Sequence, residues 1–384
     1  MKKYNFDEVI DRKGTSSYKW DNATYPVGKE MLPMPVADMD FKIADEIIEA
    51  LNKVTEHGVF GYSLPDEELK SLMQDKLKKD YHWDTELEWQ VWIPGIVPGI
   101  TAACAAFASA ERGILTSIPV YHPFHLVAGW LNKPLKTFGM LEVEGRWTYD
   151  FEEMEQRLQE GADVFLFCNP HNPGGTVFNQ TEIDRIVALC KKYNCKIISD
   201  EIHADIRLFP QSDHICIGNN FGNSPNDSIS FFATTKAFNT AGLGISVAII
   251  PDPQVRNEFL KHTFGFLPML SRHAIEMKKA CLKFGSTWLS QMLDYVQINH
   301  QMLNEFVAES KGLKMVSLEG TYLAWVEFDP SLGDFQQKLF EAGLHVLRGE
   351  QFLGKNAVRL NLATTKSNVQ KAIQIMQNVL NETN

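Results

Sequence analysis

The sequence is short of the features that mark secreted, fibrous or membrane-spanning chains. Its 384 residues hold six cysteines, Cys104, Cys168, Cys190, Cys195, Cys216 and Cys281, with no CxxC pair and no Cys/His spacing of a metal site. That excludes a disulfide scaffold and leaves reduced, mostly buried thiols. The N-terminus, MKKYNFDEVIDRKG, lacks the apolar run of a signal peptide, because Asp7, Glu8 and Asp11 stand where it would lie, so a cytoplasmic protein is expected. Positive charge is in deficit: 37 Lys plus Arg face 48 Asp plus Glu, a net charge of −11. Bulk attraction to nucleic acid or an anionic membrane surface is therefore not expected. Internal repeats, low-complexity tracts and a Gly/Ser-rich linker are missing too. What is present, 44% apolar and 22% charged residues, is enough for a sizeable core in one large or two ordinary domains. Small-molecule chemistry is the function class left.

One stretch, Val91 to Ala110, is uncharged over the roughly 20 residues of a membrane span. Pro94, Gly95, Pro98 and Gly99 break its first half into turns, so a buried helix is expected only from about Gly99 to Ala110.

Elsewhere helical and strand signals alternate. Ala44–His57 and Asp66–Lys79 carry apolar residues at helical spacing, and Thr181–Tyr193 and a segment opening at Asp252-Pro253 read as further helices. Short apolar runs at Gly113–Ile118, Val164–Cys168, Lys196–Ser199, Ile229–Ala233 and Ser246–Ile250 read as strands buried on both faces. From about His273 to Lys311 the pattern is largely helical. It is followed by strand-like Tyr322–Phe328, a helix near Asp334–Ala342, and strands around His345–Leu347 and Val358–Leu362. The fold expected is α/β, with a mostly parallel sheet flanked by helices and a second, smaller α+β unit, bridged by the long helical stretch.

Three strand ends carry chemistry. FCNPHNPGG, Phe167 to Gly175, makes a sharp loop where an open α/β sheet binds ligands, and Asn172 there can hydrogen-bond a ligand oxygen; the same residues also suit a plain tight turn. ISDEIHAD, Ile198 to Asp205, puts Asp200 at a strand tip, placed to keep a ring nitrogen protonated or simply to begin a helix. ATTKAFNTAGLG, Ala233 to Gly244, puts Lys236 just beyond a third strand. A lysine held among apolar residues can lose its proton and attack a carbonyl, although most lysines are solvated surface charges.

Taken together, Asn-Pro-x-Asn-Pro-Gly-Gly, Asp-Glu-Ile-His and Lys-x-Phe-Asn, in this order, resemble pyridoxal-phosphate enzymes of the aspartate-aminotransferase fold (fold type I). PVADMDF (Pro35–Phe41), FGYSLP (Phe60–Pro65), PGIVPGI (Pro94–Ile100) and PVYHPF (Pro119–Phe124) narrow the resemblance to the MalY/PatB-like C–S β-lyase branch. It implies a large cofactor-binding domain over 46–284 and a small domain built from both chain ends, 1–45 and 285–384. The cofactor implied is pyridoxal 5'-phosphate. By the resemblance Lys236 would carry the cofactor aldehyde and, once released, remove the substrate Cα proton; Asp200 would pair with the pyridine nitrogen; Asn172 and His203 would lie near the phenolic oxygen; Tyr121 would stack on the ring. The amides of Ile96 and Val97 and the Thr235 hydroxyl would hold the phosphate. Tyr62 would reach the phosphate from a neighbouring subunit, making the active unit a homodimer. Arg359, in VRLNLA, would capture the substrate carboxylate with its planar fork, helped by Asn172 and Ala37; by itself it also fits a surface strand arginine.

The sequence departs from the wider pattern at Gly244, where many relatives carry a phosphate-binding arginine; at Pro35, where this branch often has tryptophan; and at Ala233, which offers no hydroxyl. The implied reaction is β-elimination from a sulfur amino acid such as L-cystathionine, giving homocysteine, pyruvate and ammonia, a step of methionine biosynthesis. An aminotransferase is the alternative, and a non-catalytic regulatory module a third reading.

Overall fold

The computed structural model describes residues 2–209, 213–220 and 228–383. In chain order the elements open with β1 (Leu32–Pro33), α1 (Asp45–His57), α2 (Glu67–Tyr81), β2 (Gln90–Ile93), α3 (Ile96–Phe107), β3 (Ile114–Ile118) and α4 (Pro123–Trp130). Then come β4 (Leu135–Val143), β5 (Arg146–Tyr149), α5 (Phe151–Gln159), β6 (Val164–Cys168), α6 (Gln180–Lys192), β7 (Lys196–Asp200), β8 (Ser228–Phe232), β9 (Ser246–Ile249) and α7 (Pro253–Lys261). The last part holds α8 (Arg272–Phe284), α9 (Ser286–Glu309), β10 (Leu313–Met315), β11 (Leu323–Phe328), α10 (Phe335–Glu341), β12 (Leu344–His345), β13 (Leu347–Arg348), β14 (Ala357–Asn361) and α11 (Lys366–Thr383).

Eight strands form the main sheet in the order β2-β9-β8-β7-β6-β3-β4-β5. Strands β4, β3, β6, β7 and β8 run parallel, β9 runs antiparallel between β8 and β2, and β5 is antiparallel to β4. This is the mixed, mostly parallel α/β sheet that the apolar runs imply. Alternation along β6 shows why both faces are buried: Val164, Leu166 and Cys168 join the core under α3, whereas Phe165 and Phe167 join the one under α5 and α6.

Local chemistry sets the helix starts. Asp252 accepts a hydrogen bond from the Val255 N–H with Pro253 in the first turn, and Asn179 and Glu182 close a capping box on α6. At α3 the expected boundary needs correction. The helix begins at Ile96 and ends at Phe107, because Pro98 falls in the first turn, where a missing N–H costs nothing. Its length, roughly 18 Å at 1.5 Å per residue, is short of a bilayer core. Among the described residues no helix is long and apolar enough to cross a membrane.

The helical stretch after residue 272 is two helices meeting at Gly285, where a Cβ would lie 2.3 Å from the Phe238 ring. The second sheet, β10-β11-β14-β13, is antiparallel. One apolar cluster unites Phe6, Met34, Met39 and Phe41 near the N-terminus with Trp288, Leu323, Val358 and Leu360. Strand β1 pairs with β12, which brings the N-terminal segment against the C-terminal part of the chain. All six cysteines are buried and free of disulfides.

Candidate functional site

The parallel strands finish at one edge of the main sheet, and their following loops enclose a cavity of about 260 Å³. Asn172 enters it from the loop after β6, Asp200 from the last position of β7, His203 from the turn beyond, and Thr235 and Lys236 from the loop after β8. Tyr121, Ala37, Ile96 and Val97 complete this set of expected residues. Residues far apart in sequence thus meet because a parallel sheet brings every crossover back to the same end.

Charge in the cavity is poised rather than paired. Burial foremost, with Glu201 adding to it, pushes the Asp200 carboxyl up to about 7, against the opposing Ile202 N–H and Lys236. Burial and then Arg359 bring the Lys236 amine down to about 8, while Asp38 and Asp200 act the other way. Its Nζ donates to the Ala37 carbonyl at 2.7 Å. Burial lowers His203 to about 3, so that imidazole is neutral, and among the described residues its Nδ1 has no partner. Burial followed by Asp200 raises the Tyr121 hydroxyl.

At the other end of the cavity the first turn of α3 presents the backbone of Ile96 and Val97, two positions whose N–H groups have no partner within the helix. Thr235 lies alongside. Two residues not expected from sequence join them: Gly95, and Ser246, a buried hydroxyl. Ser246 opens β9 and pairs with Ile93, and because β9 is antiparallel its first residue sits where the parallel strands end. Nothing in an apolar run shows that direction. Gly244 has a steric explanation, since a Cβ there would lie 2.2 Å from the Pro94 carbonyl oxygen. The Pro94–Gly95 turn therefore occupies the space an arginine stem would need.

Arg359 stands in β14, only 3% exposed. Its Nη1 donates to Asn172 Oδ1 at 3.0 Å and its Nη2 to the Pro35 carbonyl at 2.9 Å, and its guanidinium lies over the Phe352 ring at 4.7 Å. Burial brings it down to about 10, with Tyr121 and Tyr322 opposing. It is a buried arginine bonded to a cavity residue, not a surface one. Arg359 does not itself line the cavity but bonds Asn172, which does; Tyr62 lies away from it, 94% exposed beside exposed Val59, Phe60 and Leu64, and does not reach its own chain's cavity.

A family model described as aminotransferase class I and II matches residues 29–376. The chain belongs to that family. It is 30% identical over 383 residues to the cystathionine beta-lyase PatB of Bacillus subtilis (strain 168), covering 96% of this chain and 98% of the relative. Among solved structures it is similar to OvoB, with a TM-score of 0.94, 32% identity, and 98% and 99% of the two chains covered. Cystalysin from Treponema denticola, whose structure contains pyridoxal 5'-phosphate, gives a TM-score of 0.92, 29% identity, and 99% and 100% coverage. The chain is a pyridoxal-phosphate-dependent enzyme of fold type I.

The residues fit that cofactor. The cavity offers a primary amine for an aldehyde, a buried acid without a cation at hydrogen-bond distance for a ring nitrogen, and the first-turn amides with the Thr235 and Ser246 hydroxyls for a phosphate. The unpartnered His203 Nδ1 and Arg359 Nε are further buried donors or acceptors that a ligand or water could satisfy.

Proposed function

We propose that the protein is a carbon–sulfur lyase that performs β-elimination on L-cystathionine or a related sulfur amino acid, releasing a thiol such as homocysteine, pyruvate and ammonia. The observation that carries this reading is the buried set Lys236, Asp200 and Asn172 lining one cavity, with buried Arg359 bonded to Asn172, in a chain whose relatives bear the cystathionine beta-lyase name. Pyridoxal phosphate, when bound, supplies a carbonyl for the substrate amine and a ring that takes up the electron pair left at Cα.

The remaining steps belong to the chain. Arg359 and Asn172, with Ala37, receive the substrate carboxylate and fix which Cα bond faces Lys236. The neutral Lys236 amine takes the Cα proton, and the Ala37 carbonyl accepts a hydrogen bond from the ammonium so formed. Asp200 would pair with the ring nitrogen, His203 and Asn172 would hold the phenolic oxygen, and Tyr121 would stack on the ring. Ile96, Val97, Thr235 and Ser246 would hold the phosphate, with Tyr62 contributed by a second copy in a homodimer. The cofactor unit is 46–284, and the segments 1–45 and 285–384 form the small domain that closes the substrate side. We place the enzyme in the cytoplasm, in methionine-related sulfur metabolism.

The test is incubation of pure protein with L-cystathionine, lactate dehydrogenase and NADH. Loss of NADH through pyruvate is expected; amino transfer to a 2-oxo acid without pyruvate would establish an aminotransferase instead. Binding without turnover of any amino acid would point to a regulatory module.

A further inference from the structure

The Ala37 carbonyl accepts two hydrogen bonds, one from Lys236 Nζ at 2.7 Å and one from the Tyr322 hydroxyl at 3.2 Å. It is the one hydrogen-bond acceptor of Lys236 Nζ among the described residues, and two donors use both lone pairs of the oxygen. The carbonyl cannot turn to favour either donor. Pro35 O is held by Arg359 Nη2 at 2.9 Å, and the Asn361 amide donates to Val36 O at 2.7 Å and to Asp38 O at 2.5 Å. Tyr322 is itself fully buried just before β11, so its hydroxyl is shielded from bulk solvent.

A carbonyl stabilises an ammonium more than an amine, because the charge-assisted hydrogen bond is the stronger one. A second donor on the same oxygen draws on the same electron density and weakens that preference. The other groups facing Lys236 come from separate elements: Arg359 on β14, Asp38 on the segment after β1, Asp200 on β7 and His203 beyond it. Among the described residues none of these forms a hydrogen bond with the Tyr322 hydroxyl, although Arg359 and Asp38 lie close enough to act on it through charge.

We propose that Tyr322 is a positioning residue for the amine of Lys236: by sharing the Ala37 carbonyl it keeps the amine in its neutral, proton-accepting form at lower pH than burial and neighbouring charges alone would. This inference rests on the reading of Lys236 as the base.

The experiment is pH-dependent labelling of Lys236 by an amine-reactive reagent in the full chain stripped of cofactor, read by peptide mass spectrometry. Tyr322→Phe is expected to raise the labelling midpoint by about half a pH unit, a threefold change in the amine to ammonium ratio. Tyr322→Leu, which also removes ring packing, should raise it alike. In the loaded enzyme, where Lys236 is a free amine only after substrate has bound, the acid limb of kcat should move upward with it. A midpoint that is unchanged or lower in Tyr322→Phe overturns the proposal. Turnover surviving in Lys236→Ala would instead overturn the base assignment, and the labelling midpoint would still decide what Tyr322 does to the amine.

Discussion

Arg359 Nη1 and Asn172 Oδ1 meet at 3.0 Å across 187 residues of sequence, tying the small sheet to the loop that follows β6. The contact joins the proposed carboxylate fork to the proposed cofactor pocket, so substrate position and cofactor position are set by one pair. Because Nη2 is held by Pro35 O, the fork is fixed on both prongs.

Arg359→Lys keeps a positive charge but cannot make both contacts. The expected outcome is a roughly 10- to 100-fold rise in KM, from about 1.5–3 kcal/mol for a hydrogen bond to a charged group. Cofactor affinity, measured by titration of the visible absorbance, should change little.

Asp200 gives a pH signature. Its carboxyl is raised to about 7, so in the cofactor-free protein its contribution to stability is fully present below the ordinary carboxylate range and is lost as pH rises through about 7. A cation against it removes that loss. Addition of pyridoxal phosphate should therefore raise the thermal midpoint more at pH 7.5 than at pH 5. In Asp200→Asn this difference between the two pH values should shrink, leaving the part contributed by deprotonation of Lys236.

Gly244→Arg would supply the arginine that many relatives use, yet it is expected to weaken cofactor binding. A Cβ at this position meets the Pro94 carbonyl and displaces the turn that leads into α3. Gly244→Ala should do the same without any charge. With overpacking costing about 1–3 kcal/mol, both dissociation constants should rise roughly 5- to 100-fold.

Tyr62 tests the shared site. Lys236→Ala and Tyr62→Ala proteins, each with greatly reduced turnover, are unfolded, mixed in equal amounts and refolded together. If Tyr62 serves the partner's cavity, hybrid dimers carry one intact site, and about a quarter of wild-type activity should return. No recovery over the separate proteins would refute the shared site.

Much of the fold and site is legible in the sequence because it depends on local pattern. The apolar run of β6 marks both its ends, and the polar residues at the tip of β7 and just beyond β6 and β8 point to Asp200, Asn172 and Lys236 as candidates. A buried parallel strand must be apolar along its length and must release its chain at the ligand-binding edge. Composition and charge likewise disfavour disulfide-scaffold and nucleic-acid-binding classes without reference to the fold. Tertiary structure alone decided the rest. The helical start at Ile96 depends on how the chain leaves β2, and Ser246 enters the cavity only because β9 runs against its neighbours. The fixed fork of Arg359, the shared oxygen of Ala37 and the steric need for Gly244 all arise from contacts between segments far apart in sequence. Such contacts leave no local periodicity, because what selects these residues is the atom opposite them in space.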